Sequence, residues 1–367
     1  MSDEVLLVTG GKAYGGWTAL EAPRSLETIA GSYTLTVTER WAGRQALAAI
    51  SPGDVCSLML GNDTVITGYV DDAEPEYDKG NHKVTIRGRD ATGDLVDCSV
   101  VRNTDVFATS DPLAIAAEIC QPFGISVRSE IALPAVRLFV LQYGETAFDA
   151  LDRLCANVGA LPTSDGQGGL VLTNAGMAGT RSSIALGRNI ERARGKFSMR
   201  DRYSYYIVSG QSRAGDLTDP ATAVADVGKA TDPGVPRYRP IILQPNIELA
   251  TPDLFQRRAE WESTVRFGRA WKADVTVPGW RDDSGALWIP NTLAPVDDDF
   301  LGIHDGALLI SGVKYMLNQD GGKLATLTLT RREAFTVVPM PELTTYDPAP
   351  QQKRLLPPPA PDGRGRL

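Results

Sequence analysis

Alternation with a period of two runs through the first hundred residues. In "SYTLTVTER", Tyr33, Leu35 and Val37 fall on one face and Thr34, Thr36 and Thr38 on the other, the signature of a half-buried strand. "VLLVTGG" reads as an apolar strand running into glycines, and "CSLMLGNDTVITGYV" puts Gly61-Asn62-Asp63 between two strands as a hairpin turn. A second hairpin turns at Asp78-Lys79-Gly80-Asn81 into "HKVTIRGRD", with Val84 and Ile86 pointing in and Thr85 and Arg87 out. Short antiparallel strands with tight turns predict a first β-barrel-like domain over residues 1–100.

The period lengthens over 101–185. In "SDPLAIAAEICQPFG", Asp111 is the cap and Pro112 opens the first turn. Leu113, Ala116, Ala117 and Cys120 form the expected buried stripe, and Pro122 with Gly124 ends the helix. "ETAFDALDRLCANVG" predicts a second helix, capped by Thr146 and burying Phe148, Leu151, Cys155 and Val158. "ALPTSDGQGGLVLT" turns at Asp165-Gly166 and returns as a strand, completing a small α+β module. Strand patterns resume over 186–338 in "YSYYIVSG", "KADVTVPGW", "ALLISGVKYML" and "LATLTLTRRE", a second β-barrel-like domain. A long helix, 251–270, interrupts it, with Thr251 as cap and Leu254, Trp261 and Val265 as its apolar line. Its Arg257, Arg258, Arg266 and Arg269 make either a solvated basic face or a partner contact, arginine being favoured at interfaces. Residues 339–367 are proline-rich and end basic, an extended arm on which Lys353 and Arg354 are candidate partner contacts.

The two β regions resemble each other. Ile66-Thr67-Gly68 matches Ile310-Ser311-Gly312; a glycine-bearing turn follows each, and both closing strands alternate apolar residues with Thr or Arg. The match predicts two related β domains in one polypeptide, with Gly68 and Gly312 in equivalent places.

Composition narrows the function. A chain of 367 residues has room for two or three domains, and 43% hydrophobic with 22% charged residues is ordinary for globular cores. A formal charge of −8 argues against a surface that grips nucleic acid, though not against a channel through which DNA passes without specific binding. Met1-Ser2-Asp3-Glu4 is acidic where a signal peptide is basic, and no apolar run reaches the roughly 18 residues of a membrane helix. Cys56, Cys98, Cys120 and Cys155 lie far apart with no C-x-x-C pair. The expectation is synthesis in a reducing cytosol, four buried free thiols and no membrane insertion.

Candidate chemistry is sparse. "GGKAYGGW" lacks the Ser or Thr that must follow Gly-Lys in a phosphate loop, Ala13 standing there instead. "VSGQSRAG" misses the second glycine of a nucleophile elbow around Ser212. His82 reads as a solvent-facing strand residue. His304 follows Asp297-Asp298-Asp299, but three consecutive acids on a strand cannot all face one ion, so a solvated loop is favoured over a metal site. Asp71, Asp72, Glu74, Glu76 and Asp78 crowd one hairpin. Glycoside chemistry needs a carboxyl pair about 5–9.5 Å apart with one member desolvated. These acids read instead as a soluble rim or contact surface. No catalytic residue, cofactor or metal is assigned, and the protein is expected not to be an enzyme.

Three segments in order carry a family likeness: "VLLVTGGKAYGGWTALEAPRSLETIAGSYTLTVTERW", then "VITGYVDDAEPEYD" with "HKVTIRGRDATGDLVDCS", then "FDALDRLCANVGALPTSDGQGGLVLTNAG". Together they resemble baseplate hub proteins of bacteriophage Mu and its relatives, over roughly residues 1 to 335. Late control gene D proteins and the hub-like part of type VI secretion spikes are more distant kin. The resemblance implies a mainly β fold of two similar antiparallel β-barrel-like domains plus the α+β module, assembled as a homotrimeric ring with pseudo-sixfold symmetry. It implies a virion component of a contractile tail, assembled in the host cytoplasm and active in genome ejection. Its implied partners are a central spike protein, tail tube or tube-adaptor proteins, the tape measure protein and baseplate wedge proteins. It supplies no catalytic residues, and it has no place for the proline-rich arm. The competing reading is a tail-tip protein that binds or degrades glycan. That reading requires a cleft of paired acids or an exposed aromatic platform, and Trp17, Trp41, Trp261, Trp271, Trp280 and Trp288 are too scattered to nominate one.

Overall fold

In a computed structural model, residues 4–38, 50–79, 82–210, 226–244, 252–318 and 322–340 are described. Strands β1 (Val5–Thr9) and β2 (Lys12–Tyr14) turn on Gly10 and Gly11, both at positive φ, 55° and 75°. A two-residue hairpin of the type I′ kind demands that backbone, which is why the glycine pair sits there rather than in a phosphate loop. Then come β3 (Ala19–Ser25), β4 (Ser32–Thr38), β5 (Val55–Leu60), the long β6 (Asp63–Tyr77) and β7 (His82–Asp90). Gly61 at φ 64° lets β5 and β6 join through two residues, Gly61 and Asn62. The tip of the β6–β7 hairpin at Gly80 and Asn81 lies outside the described residues. On β7, Ile86 is buried as expected, but so is Thr85.

The middle module holds α1 (Gly93–Asp97), α2 (Pro112–Cys120), β8 (Val127–Ser129), α3 (Ala147–Val158), β9 (Leu161–Ser164) and β10 (Leu170–Thr173). Asp111 caps α2 by accepting from the Leu113 N–H. Thr146 caps α3 in a reciprocal box with Asp149, and Gly159 ends it in the left-handed conformation. The buried stripe of α2 is Ile115, Ala116, Ile119 and Cys120; Ala117, expected inside, is exposed. The two isoleucines, larger than alanine, take the core face. Three of the four thiols are buried, but Cys98 is exposed in the segment leaving α1. All four cysteines are free.

Beyond the module lie β11 (Ile184–Ala185), β12 (Arg192–Phe197), β13 (Tyr205–Gly210), β14 (Asp226–Thr231), β15 (Pro240–Leu243), α4 (Pro252–Arg269), β16 (Trp271–Pro278), β17 (Thr292–Asp298), β18 (Ile303–Asn318) and β19 (Gly322–Thr330). The predicted cap of α4, Thr251, lies outside the described residues. Helix α4 packs on the small sheet β14-β13-β15 through Phe255, Ala259 and Val208. The fold is thus mainly β, dominated by one thirteen-stranded sheet in which β18 of the second half pairs antiparallel with β3 of the first. One hydrophobic cluster runs through both halves, from Leu7, Leu35 and Ile86 to Val275, Tyr315 and Leu327; the middle module has a core of its own.

The sheet repeats itself. Its path reads β3-β4-β7-β6-β5 in one half, and β12-β16-β19-β18, with β17 beside β18, in the other. Both long strands carry a bulge at the same point. The β6–β7 register slips between Val70 and Asp72, and the β18–β19 register between Ile310 and Gly312. A second slip follows Leu58 on β5 and Val296 on β17. Aligned on these bulges, Val70 corresponds to Ile310 and Asp72 to Gly312. Gly68 therefore does not correspond to Gly312, and the likeness of "ITG" to "ISG" is a coincidence of composition. Their surroundings differ accordingly. A Cβ at Gly68 would overlap the backbone of Arg89 and Asp90, whereas one at Gly312 would meet only ordinary contacts, 3.4 Å or more away.

Candidate interaction site

The joint between the halves is the pairing of β3 with β18, from Leu20 opposite Leu317 to Ser25 opposite Gly312. Its inward face carries Leu20, Ala22, Val313 and Tyr315, all in the common core. The Tyr315 phenol donates to the Trp288 carbonyl, and burial pushes its pKa up to about 12. On the outward face Lys314 reaches Glu21 at 3.3 Å, a cross-strand ion pair. The Leu26 N–H continues the ladder to the Ser311 carbonyl at 2.8 Å.

The acidic hairpin divides in two. Near the bulge, the Arg89 guanidinium holds Asp71 and Asp97 at 2.8 Å each, and its hydrogen bond lowers the Asp97 pKa. A shallow depression here is lined by Asp71, Asp72, Asp94 and Arg89, and burial raises the Asp94 carboxyl. Arg89 pairs with two of the neighbouring acids, Asp71 and Asp97, as a structural bridge between β6, β7 and α1. Farther out, Glu74 pairs across to Arg87 at 2.5 Å, while Asp72, Glu74 and Glu76 are exposed on the distal half of β6. Asp90 is buried. It accepts from the Thr92 N–H and hydroxyl and from the Ser164 hydroxyl, and burial raises its pKa. Those bonds tie β7 to the middle module.

The arginines of α4 separate by position. Arg258 and Arg266 both bind Glu262, at 2.8 and 2.9 Å, and Glu262 is only 8% exposed. Arg258 also lies over the Trp261 ring at 4.4 Å. These two are partly buried by their pairing with Glu262, whereas Arg257, paired with Asp253 at 2.7 Å, and Arg269 are exposed. Lys353, Arg354 and Ser212 lie outside the described residues. Sequence reasoning missed the bidentate, buried Arg202–Asp232 pair, at 2.8 and 2.7 Å, because nothing links residues 30 positions apart until β13 and β14 fold.

The irregular end of β17 and the turn after it do what consecutive acids on a regular strand could not at the acidic triplet. Asp297 and Asp299 share a face and His304 joins them, its Nδ1 3.6 and 3.5 Å from their carboxylates. Asp298 points inward and accepts from the Leu301 N–H. The trio is exposed, so water competes for every lone pair and the cluster alone defines no site. Trp17, Trp280 and Trp288 are buried and Trp261 and Trp271 half-buried, so among the described residues no tryptophan platform for glycan exists. No helix among them is long and apolar enough to cross a membrane.

A mainly antiparallel sheet joined across two like halves is the architecture of the tail-hub class of fold. Residues 4–90 match the family described as Mu phage baseplate assembly protein GpP-like, N-terminal. Residues 92–174 match baseplate hub protein gp44-like, second domain, and residues 251–338 Mu phage baseplate assembly protein GpP, fourth domain. The chain is 33% identical over 345 residues to baseplate hub protein gp44 of Escherichia phage Mu, covering 92% of this chain and 90% of that one. It superposes on the 43 kDa tail protein of prophage MuSo2 from Shewanella oneidensis with a TM-score of 0.80 and 35% identity, over 91% of this chain and all of that one. A tail protein from Neisseria meningitidis MC58 shares the fold, with a TM-score of 0.76 and 23% identity over 90% and 97% of the two chains. The chain belongs to the phage Mu baseplate hub family.

Proposed function

We propose that this chain is the central hub of a contractile phage tail baseplate and works as a homotrimer. Three copies bring six similar β units into one ring. A ring of that kind presents threefold symmetry to a central spike and near-sixfold symmetry to a tail tube or tube-adaptor. It surrounds the channel through which the tape measure protein and then DNA leave. The observation that carries the reading is the repeated strand order with both bulges in register, because quasi-equivalent units are what a threefold-to-sixfold adaptor requires. The family supports the same role. Such a ring buries an obligate interface, typically above about 2,000 Å² in total. Sedimentation equilibrium tests it: a species near three times 39.4 kDa is expected, and a stable monomer at micromolar concentration contradicts it.

A further inference from the structure

We infer that the cleft where the first half of the sheet, the middle module and the second half meet is a binding site for a phosphate dianion, held between Arg24 and Arg181. The site lies within one chain and does not depend on the trimeric reading.

The cleft has a volume of about 410 Å³. Three parts of the chain line it. The first half contributes the end of β3 and the start of β6, and the module contributes β8 with the β9–β10 turn. The second half contributes the β16–β17 connection, beside which Arg181 is held by its backbone N–H to the Leu293 carbonyl at 2.7 Å.

Four arginines line the cleft, and their partners divide them. Arg128 pairs with Glu130 at 2.8 Å and Arg281 with Asp63 at 2.7 Å, so two of the lining acids are taken up by two of the arginines. The third lining acid, Asp165, accepts from the Gln167 and Gly169 N–H groups of its own turn, at 2.7 and 3.0 Å. Arg24 donates to the Ser164 carbonyl at 3.3 Å and has no salt bridge among the described residues; its charge reaches the buried Asp90 only at longer range. The Arg181 side chain makes no hydrogen bond or ion pair among the described residues, and its Nε is buried without a partner. The charges also converge. Burial raises the pKa of the Tyr315 phenol, and Arg24, Arg181 and Arg281 all oppose that rise, which places the three guanidiniums around one point.

Two guanidiniums without acids repel each other across a shared cleft, and a buried donor with no acceptor is costly. One oxyanion removes both penalties. The guanidinium fork matches phosphate oxygens two at a time, and two forks match the charge of a dianion, whereas a single carboxylate carries only half of it. Arg24 is placed in advance. A Cβ at Gly166 would lie 2.6 Å from its Cζ and one at Gly31 3.0 Å from its Cγ, so the two glycines leave the room that the side chain fills. Ile29, Leu287, Ile289 and Pro290 form an apolar wall, which thins the water around the charges and strengthens their attraction. Small organic ligands occupy clefts of about 300–1,000 Å³, so the space admits a phosphate monoester as well as inorganic phosphate.

Isothermal titration of the full chain with inorganic phosphate, at mildly alkaline pH and at ionic strength held constant with chloride, tests the site. One saturable site per chain is expected. Arg181→Met breaks no ion pair within the protein and is expected to weaken binding at least about tenfold, while Arg137→Met, an exposed arginine away from the cleft, leaves it unchanged. Phosphate is likewise expected to raise the melting midpoint of the parent and not that of Arg181→Met. Phenyl phosphate separates the two ligand sources: tighter binding than inorganic phosphate assigns the apolar wall to an organic group, and equal or weaker binding assigns the site to the free ion. No saturable binding by the parent overturns the inference, and so does binding by Arg181→Met equal to the parent's or an equal loss in Arg137→Met. Unchanged far-UV circular dichroism shows that the variants fold.

Discussion

A methyl group at Gly68 has nowhere to go: the backbone of β7 occupies its place. Gly68→Ala is therefore expected to cost about 1–3 kcal/mol in chemical denaturation, the usual penalty of overpacking, whereas Gly312→Ala should stay within about 0.5 kcal/mol. Equal costs at the two glycines would contradict the bulge-anchored alignment. The buried Arg202–Asp232 pair is the other residue-scale test. Removing the carboxylate with Asp232→Ala strands a buried guanidinium and should cost about 3–5 kcal/mol. The Arg202 hydrogen bonds lower the Asp232 pKa in the folded state. Its contribution is thus fully present above the unfolded value of about 3.9 and is lost as pH falls through the folded value. Asp90 acts with the opposite sign. Burial raises it, so the folded state takes up that proton first and its cost to stability is relieved on acidification. Urea midpoints at stepped pH should fall more gently toward acid in Asp232→Asn, and more steeply in Asp90→Asn, than in the parent.

Among the elements, α3 is the best specified by its own sequence. Thr146→Ala breaks its capping box and should cost about 1 kcal/mol, read as a lower melting midpoint. An unchanged midpoint would mean that tertiary packing alone holds the helix. Such local signals made much of the fold legible: Asp111 and Thr146 cap the helices they were expected to cap, and the alternation of Tyr33, Leu35 and Val37 marks a buried strand face. Other features escaped for physical reasons. Strand β12, "RARGKF", alternates basic with small residues and carries almost no apolar pattern for periodicity to reveal. The stripe of α2 went to Ile115 and Ile119 over Ala117 because side-chain size, beyond periodicity, decides which face is covered. The "ITG" and "ISG" match misled because registers are set by bulges, which leave no mark in composition.

At the scale of the whole molecule, the sheet runs unbroken from one half into the other, and a single core underlies both. In the proposed trimer, raised ionic strength should slow assembly from dissociated subunits more than it loosens the finished ring, because steering by exposed charges is screened and buried core contacts are not. Refolding followed by light scattering across a salt series checks this, and a salt-independent rate would argue that charge has no part in recognition. The central claim, that one polypeptide folds the same β unit twice so that three copies make six, is tested most directly by imaging the purified particle down its axis. The account predicts a closed ring with threefold symmetry and six similar lobes around an open centre. Single particles without a ring, or rings whose lobes fall into two dissimilar sets, would contradict it.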